Sequence, residues 1–404
     1  MSLRPGAHAS FILDAGTVSM NRSGISAKIK GLISSGGGRC DSVFVVAVML
    51  LAVCGTVMVF SAGYAYADFR YGDGLYFVKR QTVWIVFGTI AMLTVSRMDI
   101  DLIKKHTVKA YVLTLGLLVL TLLIGFVGNG AQRWISIGPI TVQPSEIAKL
   151  TMTMMLARYF ERNSDVIFTK SKRDILIRGT VIPFTIISLP ILLVMLQHHL
   201  SCIIILGIIG VLMIVASGAD LRYIGGCCAI GLVGVCYIAF FTDYTKDRIT
   251  VWLDPESYKL TGGWQTLQGL MAIGSGGIFG KGLGKGELKY CYVSEPANDM
   301  IFAVLCEELG LVGAMLTLGL FALLIFRGFT IALKNDDTYA RLLTLGICIK
   351  IAVQVLLNVA VVTNTIPNTG ISLPFFSYGG SSLIMIFAEM GIIMSASRKS
   401  KINK

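Results

Sequence analysis

Charge is scarce in this chain. Asp, Glu, Lys and Arg make up 14% of its 404 residues, where soluble domains carry about a quarter. That scarcity excludes an ordinary water-soluble domain. With 54% apolar residues and a mean hydropathy of +0.75, the chain reads as an integral membrane protein. A disulfide framework is missing as well: Cys54, Cys202, Cys227, Cys228, Cys236, Cys306 and Cys348 fall in apolar runs, and Cys291 is the clearest cysteine outside them. Adjacent Cys227 and Cys228 lack the spacing of a zinc site and read as core packing. No cleavable signal is expected, because the first apolar run starts only after about 40 polar residues and is long enough to span.

A phosphate-binding P-loop is absent too. The run from Gly274 to Gly286 holds Lys281 and Lys285, but no glycine stands five before Gly280 or Gly284, and neither lysine precedes Ser or Thr. It reads as close-packed turns lying over the membrane surface, with its lysines near lipid phosphates. The net charge of +12 calls for no nucleic acid, since lysine bias between membrane faces and attraction to anionic lipid account for it.

What is present is a series of apolar runs. A helix crossing ~30 Å of hydrocarbon needs roughly 20 residues, and this predicts an all-α, polytopic membrane protein of about ten helices. The expected spans are 42–66, 81–96, 108–127, 146–160, 179–197, 199–217, 224–242, 300–325, 343–363 and 382–396. Residues 1–41 are expected to form a disordered basic cytoplasmic tail, 42–397 the membrane domain, and 398–404 a short basic tail. Basic residues favour one set of connections by about two to one, which predicts both termini in the cytoplasm and the long loop 243–300 outside.

Polar groups near hydrocarbon are costly, so each one needs a reason. Arg133 opens an outer loop, and Gln143-Pro144-Ser145-Glu146-Ile147-Ala148-Lys149 enters the fourth span, where Pro144 suits a first turn and Ser145 can cap it. Glu146 and Lys149 share a helix face, either as a self-neutralising pair or with Lys149 and Arg133 holding a pyrophosphate in an outward-open cavity. The long loop adds Arg248, Gln265, Gln268 and Glu295 as polar groups able to meet a lipid headgroup. It closes on Asp299, a carboxylate placed where water meets hydrocarbon. Ser377-Tyr378-Gly379-Gly380-Ser381, between the last two spans, is small and polar backbone that must line a cavity or be buried in protein. Glu307 and Glu308, two turns into the following span, read as structural acids paired with Lys350 or a helix end. Adjacent His198 and His199 have no evident third metal ligand.

The stretches Gly130-Ala131-Gln132-Arg133-Trp134-Ile135, Gln143 to Lys149, Ala272 to Gly284, Asp299-Met300-Ile301-Phe302 with Glu307-Glu308-Leu309-Gly310, and Leu373 to Ser382 stand together in one order over residues 42–398. In this the chain resembles the SEDS family (shape, elongation, division, sporulation) of FtsW, RodA and SpoVE. Around Tyr292-Val293-Ser294-Glu295-Pro296 it is closer to the FtsW and SpoVE branch. The resemblance implies a peptidoglycan glycosyltransferase of the bacterial plasma membrane that polymerises lipid II and works with a class B penicillin-binding protein and other division or elongation proteins. It also implies that Asp299 takes the place of the family's essential aspartate. Two departures stand out. The family's His-Thr-Asp is Ala297-Asn298-Asp299 here, and its Gln-Pro-Asp-Leu-Gly is Gln197-His198-His199-Leu200-Ser201.

On this reading Asp299 is the base that deprotonates an acceptor sugar, while Arg133, Lys149 and Arg248 stabilise departing undecaprenyl pyrophosphate. No resident cofactor is called for, although a divalent cation, magnesium or manganese, can accompany the pyrophosphate. The alternatives are a flippase that moves lipid II between leaflets, with Glu146, Lys149 and Lys350 along its path, and a scaffold without catalysis. No internal inverted repeat supports the flippase.

Overall fold

The computed structural model describes residues 40–128, 131–138, 140–164, 172–229, 231, 243–290 and 295–400. Residues 1–39 of the expected tail 1–41, residues 401–404 of the expected tail 398–404, Cys236, Cys291 and most of the expected span 224–242 lie outside the described residues. Within them the chain forms α1 (Ser42–Tyr71), α2 (Tyr76–Ser96), α3 (Ile100–Ile124), three short strands β1 (Phe126–Gly128), β2 (Ala131–Ile137) and β3 (Ile140–Val142), then α4 (Pro144–Arg162). There follow α5 (Lys172–Leu196, with one π-helical turn), α6 (Leu200–Ala216), α7 (Asp243–Leu253), α8 (Gly263–Gly276), α9 (Ile301–Leu333), α10 (Thr338–Val362) and α11 (Gly380–Lys399).

Among the described residues, α1, α3, α5, α9, α10 and α11 are long and apolar enough to cross a membrane, and α6 is a shorter apolar helix. The other two expected spans, 81–96 and 146–160, are helices as well: α2 has Lys79 and Arg80 near its start, and α4 carries Glu146, Lys149 and Arg158 along its length. Packing explains how they survive. Most of α4 is buried, on all its faces, because α3, α5, α6, α10 and α11 surround it, so its charges meet protein and not lipid. α2 lies along α11 and α1. Aspartates start three of the helices: Asp41, Asp99 and Asp337 each accept a backbone N–H of the first turn. α4 starts differently from expectation. Its N-cap is Gln143 without a side-chain bond, and Ser145 is already inside the helix.

Two connections depart from the sequence reading. The expected span 108–127 ends at Ile124, and the chain then folds into a small antiparallel sheet, β1-β2-β3, pairing Phe126 with Trp134 and Ile135 with Val142. The glycine run after α8 does more than form turns. It is threaded into a break in α9 at Gly310, whose φ of 66° and ψ of −167° leave the helix. A Cβ at Gly310 would fall 2.3 Å from the Gly280 nitrogen, so both the dihedral and the contact require glycine. The run repairs the broken ladder. Lys281 and Gly282 N–H groups donate to the Glu307 and Glu308 carbonyls at 3.0 and 2.9 Å, and Leu311 and Val312 N–H groups donate to Gly277 and Ile278 at 3.0 and 3.1 Å.

Glu307 and Glu308 are fully buried at this seam, but neither pairs with Lys350. Lys281 meets Glu307 at 2.9 Å, Lys289 meets Glu308 at 2.7 Å, and Ser61 of α1 donates to Glu308 at 2.6 Å. Backbone N–H groups of Gly284, Glu287 and Leu288 complete the two carboxylates. The lysines therefore serve carboxylates that would be prohibitively costly if left unpaired.

Candidate active site

One cavity of about 740 Å³ opens between the start of α2, the small sheet, α4, α8 and the segments that precede α9 and α11. It collects most of the polar residues singled out in the sequence: Arg133, Gln143, Glu146, Lys149, Arg248, Gln265, Glu295, Asp299, Ser377, Tyr378, Gly379 and Gly380 all line it. These positions span more than half of the chain, so their convergence is a property of the fold. Three candidates stand back. Ser145 faces the His199 ring at 3.4 Å, while Gln268 is buried in α8 and Ser381 points away, and neither lines the cavity.

Asp299 sits two residues before α9. Its backbone is tied from several directions: Asn358 donates to its carbonyl at 2.9 Å, Ser377 to the Asn298 carbonyl at 2.7 Å, and the Tyr378 N–H to the Ala297 carbonyl at 2.8 Å. One oxygen of its side chain is left unsatisfied, for Oδ1 is closed off from solvent without a hydrogen bond. Burial pushes the Asp299 carboxyl up to about 6, the nearby Glu295 carboxylate adds to the rise, and its own N–H, Gln265 and Arg248 pull the other way. Glu295 is itself engaged by the Asn298 amide at 2.6 Å.

The cations divide into two kinds. Lys149 is buried and bound to Glu146 at 2.6 Å, and Ser382 reaches the same glutamate at 3.4 Å. Behind them Lys350 meets Glu389 at 2.5 Å, both fully buried, and Lys350 and Glu146 lie close enough to act on each other. Two charges of each sign thus form one buried group on α4, α10 and α11. Arg133 and Arg248 belong to the rim and are held by loops, through the His198 and Asn368 carbonyls respectively.

Several lining residues were not among the site candidates of the sequence: Arg80, Trp84, Trp134, His199, Ser201, Gln354, Asn368 and Thr369. Arg80, Trp84 and Gln354 lie within helices whose pattern carried no turn signal or charge cluster. Glu389 was missed because a single acid in an apolar span shows no partner until α10 is placed beside it.

The chain's relatives bear on this geometry. The family of the cell cycle proteins FtsW, RodA and SpoVE matches residues 41–402. Stage V sporulation protein E of Bacillus subtilis is 37% identical over 363 residues, covering 89% of this chain and 98% of its own length. A probable peptidoglycan glycosyltransferase FtsW of a Geobacter species is 34% identical over 363 residues, covering 89% and 97%. Among solved structures, a chain from a peptidoglycan synthase complex that coordinates polymerization and crosslinking superposes with a TM-score of 0.75. It is 26% identical and covers 89% of this chain and 98% of its own.

Proposed function

This chain belongs to the FtsW, RodA and SpoVE family, and we propose that its cavity polymerises lipid II with Asp299 as general base. It is a multi-pass membrane peptidoglycan glycosyltransferase, as its curated relatives are named. The observation that carries the assignment of the base is the state of Asp299. It is a carboxylate with one unsatisfied oxygen and a pKa near 6, fixed by its backbone at the wall of a polar cavity. Such a group is ionised at neutral pH and still basic enough to accept a proton.

Chain growth forms one bond and breaks one. The acceptor hydroxyl attacks the anomeric carbon of the donor sugar, Asp299 takes the hydroxyl proton, and the bond to pyrophosphate breaks with its electron pair on the leaving group. Arg133, Arg248 and Lys149 offset the charge that builds there. Inversion follows from direct displacement. The other cavity carboxylates are already engaged, Glu146 by Lys149 and Glu295 by Asn298. A divalent cation carried in on the pyrophosphate would meet Glu295 and Asp299 and would supply charge neutralisation; among the described residues no group of three or more His, Cys, Asp or Glu forms a cage for it.

The distribution of basic residues supports an outward-facing cavity with both termini in the cytoplasm. The likeness to a chain from a synthase complex supports a class B penicillin-binding protein as partner. Glu146, Lys149 and Lys350, the residues expected along a flippase path, are already engaged in buried ion pairs, which favours polymerisation over transport. Purified protein with labelled lipid II in detergent, with and without the cognate penicillin-binding protein, tests the reading. Glycan strands should form, and should vanish in Asp299→Asn. Transbilayer movement of lipid II without polymer would replace this reading by transport.

A further inference from the structure

Arg80 and Trp84 line the cavity yet have no part in the chemistry above. They stand four residues apart on α2, so they lie one above the other on one helix face, ~5–6 Å between Cβ atoms. The Arg80 guanidinium rests 4.7 Å from the centre of the Tyr76 ring and faces the Tyr378 hydroxyl. Tyr76 in turn stacks on Tyr71 at 4.0 Å. Below this ladder the Trp84 indole is backed by the first residue of α11, where a Cβ on Gly380 would fall 2.4 Å from the ring. The glycine backbone therefore lies flush against the indole, and both residues line the cavity.

The same cavity contains an acceptor with nothing to accept. Gln354 is 2% exposed, its Oε1 has no hydrogen-bond partner, and it lines the cavity from α10. Buried polar groups are almost always paired, so the site is complete only with a donor from a ligand. A flat apolar ring, a guanidinium one turn away and an orphaned acceptor together describe a sugar that carries a phosphate. The C–H face of a pyranose packs on an indole. A phosphate bonded to its anomeric carbon then lies within the sweep of a long, flexible side chain rooted one turn away on the same helix face.

We propose that Trp84 is the platform for the sugar ring of a glycosyl pyrophosphate, with Arg80 on the phosphate and Gln354 accepting from a sugar hydroxyl or N-acetyl N–H. This rests on the cavity being the lipid II site. Incoming lipid II and the growing strand both end in this group.

The test uses the full-length protein carrying Asp299→Asn, which binds without turnover, and two ligands: lipid II and undecaprenyl pyrophosphate, which lacks the sugar. Adding Trp84→Leu should weaken lipid II binding about 10-fold and change undecaprenyl pyrophosphate by less than about 2-fold. Trp84→Phe should recover most of the loss, and Gly380→Ala, which displaces the indole, should reproduce it. Arg80→Met should weaken both ligands. Unchanged lipid II binding in Trp84→Leu, or equal loss of both ligands, overturns the platform. In turnover-competent protein, shorter strands from Trp84→Leu place the growing strand on the indole, and a raised KM for lipid II places the incoming substrate there. If wild-type protein binds lipid II more tightly than undecaprenyl pyrophosphate but makes no polymer, the platform stands and the polymerase reading falls. If it polymerises and Trp84→Leu binds as wild type does, the reverse holds.

Discussion

Ser377 accepts the Leu373 N–H and donates to the Asn298 carbonyl, both at 2.7 Å, and so joins the approach to α11 to the residue preceding Asp299. Both of its hydrogen-bonding directions are used within the protein. Although it borders the cavity, its hydrogen bonds fix the backbone that carries the proposed base. Ser377→Ala should therefore lower kcat several-fold with little change in KM for lipid II, since one neutral bond contributes ~1 kcal/mol and the substrate loses no contact. Steady-state kinetics decide the matter, and a rise in KM alone would place Ser377 on the substrate instead.

As the proposed base, Asp299 acts only when ionised, so turnover should rise with pH through about 6 and then level off. Glu295→Gln removes the neighbouring negative charge and should move that rise to lower pH. Asp299→Glu shifts the carboxylate by more than an ångström and should lose ~10²-fold in rate. A pH–rate profile checks all three proteins, and an unmoved profile in Glu295→Gln would sever the two carboxylates.

The same carboxyl has a stability signature. Its folded pKa of about 6 lies above the ordinary 3.8, so the stability it contributes is complete below 3.8 and is lost as pH rises through about 6. Asp299→Asn should accordingly melt higher than wild type near pH ~8 and match it near pH ~3.5. A lower melting temperature at the higher pH would mean that the charged form is not penalised by burial.

The buried group of Glu146, Lys149, Lys350 and Glu389 predicts paired behaviour. Removing one partner strands a buried charge, at a cost of ~3–5 kcal/mol. Lys350→Met should reduce the amount of folded protein in membranes, and Lys350→Met with Glu389→Gln should restore much of it. Lys149→Ala with Glu146→Gln should likewise fold but remain inactive, because Lys149 also lines the cavity. Quantitative immunoblotting of membranes, with activity measured in parallel, separates the two contributions.

Two glycines of α9 give a controlled comparison. Gly310 combines a left-handed φ of 66° with backbone 2.3 Å from any Cβ, whereas a Cβ at Gly319 would meet nothing within 4 Å. Gly310→Ala should abolish folded protein, while Gly319→Ala should be neutral or stabilising by up to ~1 kcal/mol. Thermal melts in detergent suffice. Comparable melts for both variants would show that the break in α9 is not fixed by sterics.

The orientation can be read chemically. In protein freed of its native cysteines, Asn368→Cys at the cavity wall should react with membrane-impermeant thiol reagents from outside, and lipid II should slow the reaction. Reaction only from the cytoplasmic side would invert the topology.

Much of this was legible in the sequence because a membrane makes polarity informative. Arg133, Lys149, Arg248 and Asp299 were conspicuous as charges beside apolar runs, and they do share one cavity. Helix ends were less legible: α3 begins eight residues before the expected 108, since its first two turns are amphipathic and face protein. The partners of Glu307 and Glu308 were not legible at all. Hydropathy could locate the acids, but the lysines that meet them sit in a glycine-rich run whose path depends on the break at Gly310. Trp84 was invisible for the opposite reason, since an aromatic residue in a span carries no signal of its own.

Surface connections usually accept insertions at little cost, because closing a somewhat longer loop adds only ~0.6 kcal/mol per doubling. The segment from Gly277 to Lys289 is a connection of another sort. Its backbone meets α9 on both sides of Gly310, and Lys281 and Lys289 fix it again through Glu307 and Glu308. One residue added between Lys281 and Lys289 would leave a carboxylate without its cation or a helix carbonyl without its donor. This stretch therefore behaves as a ruler: its length, more than its composition, sets how far α8 stands from the start of α9 and hence where Gln265 faces Asp299.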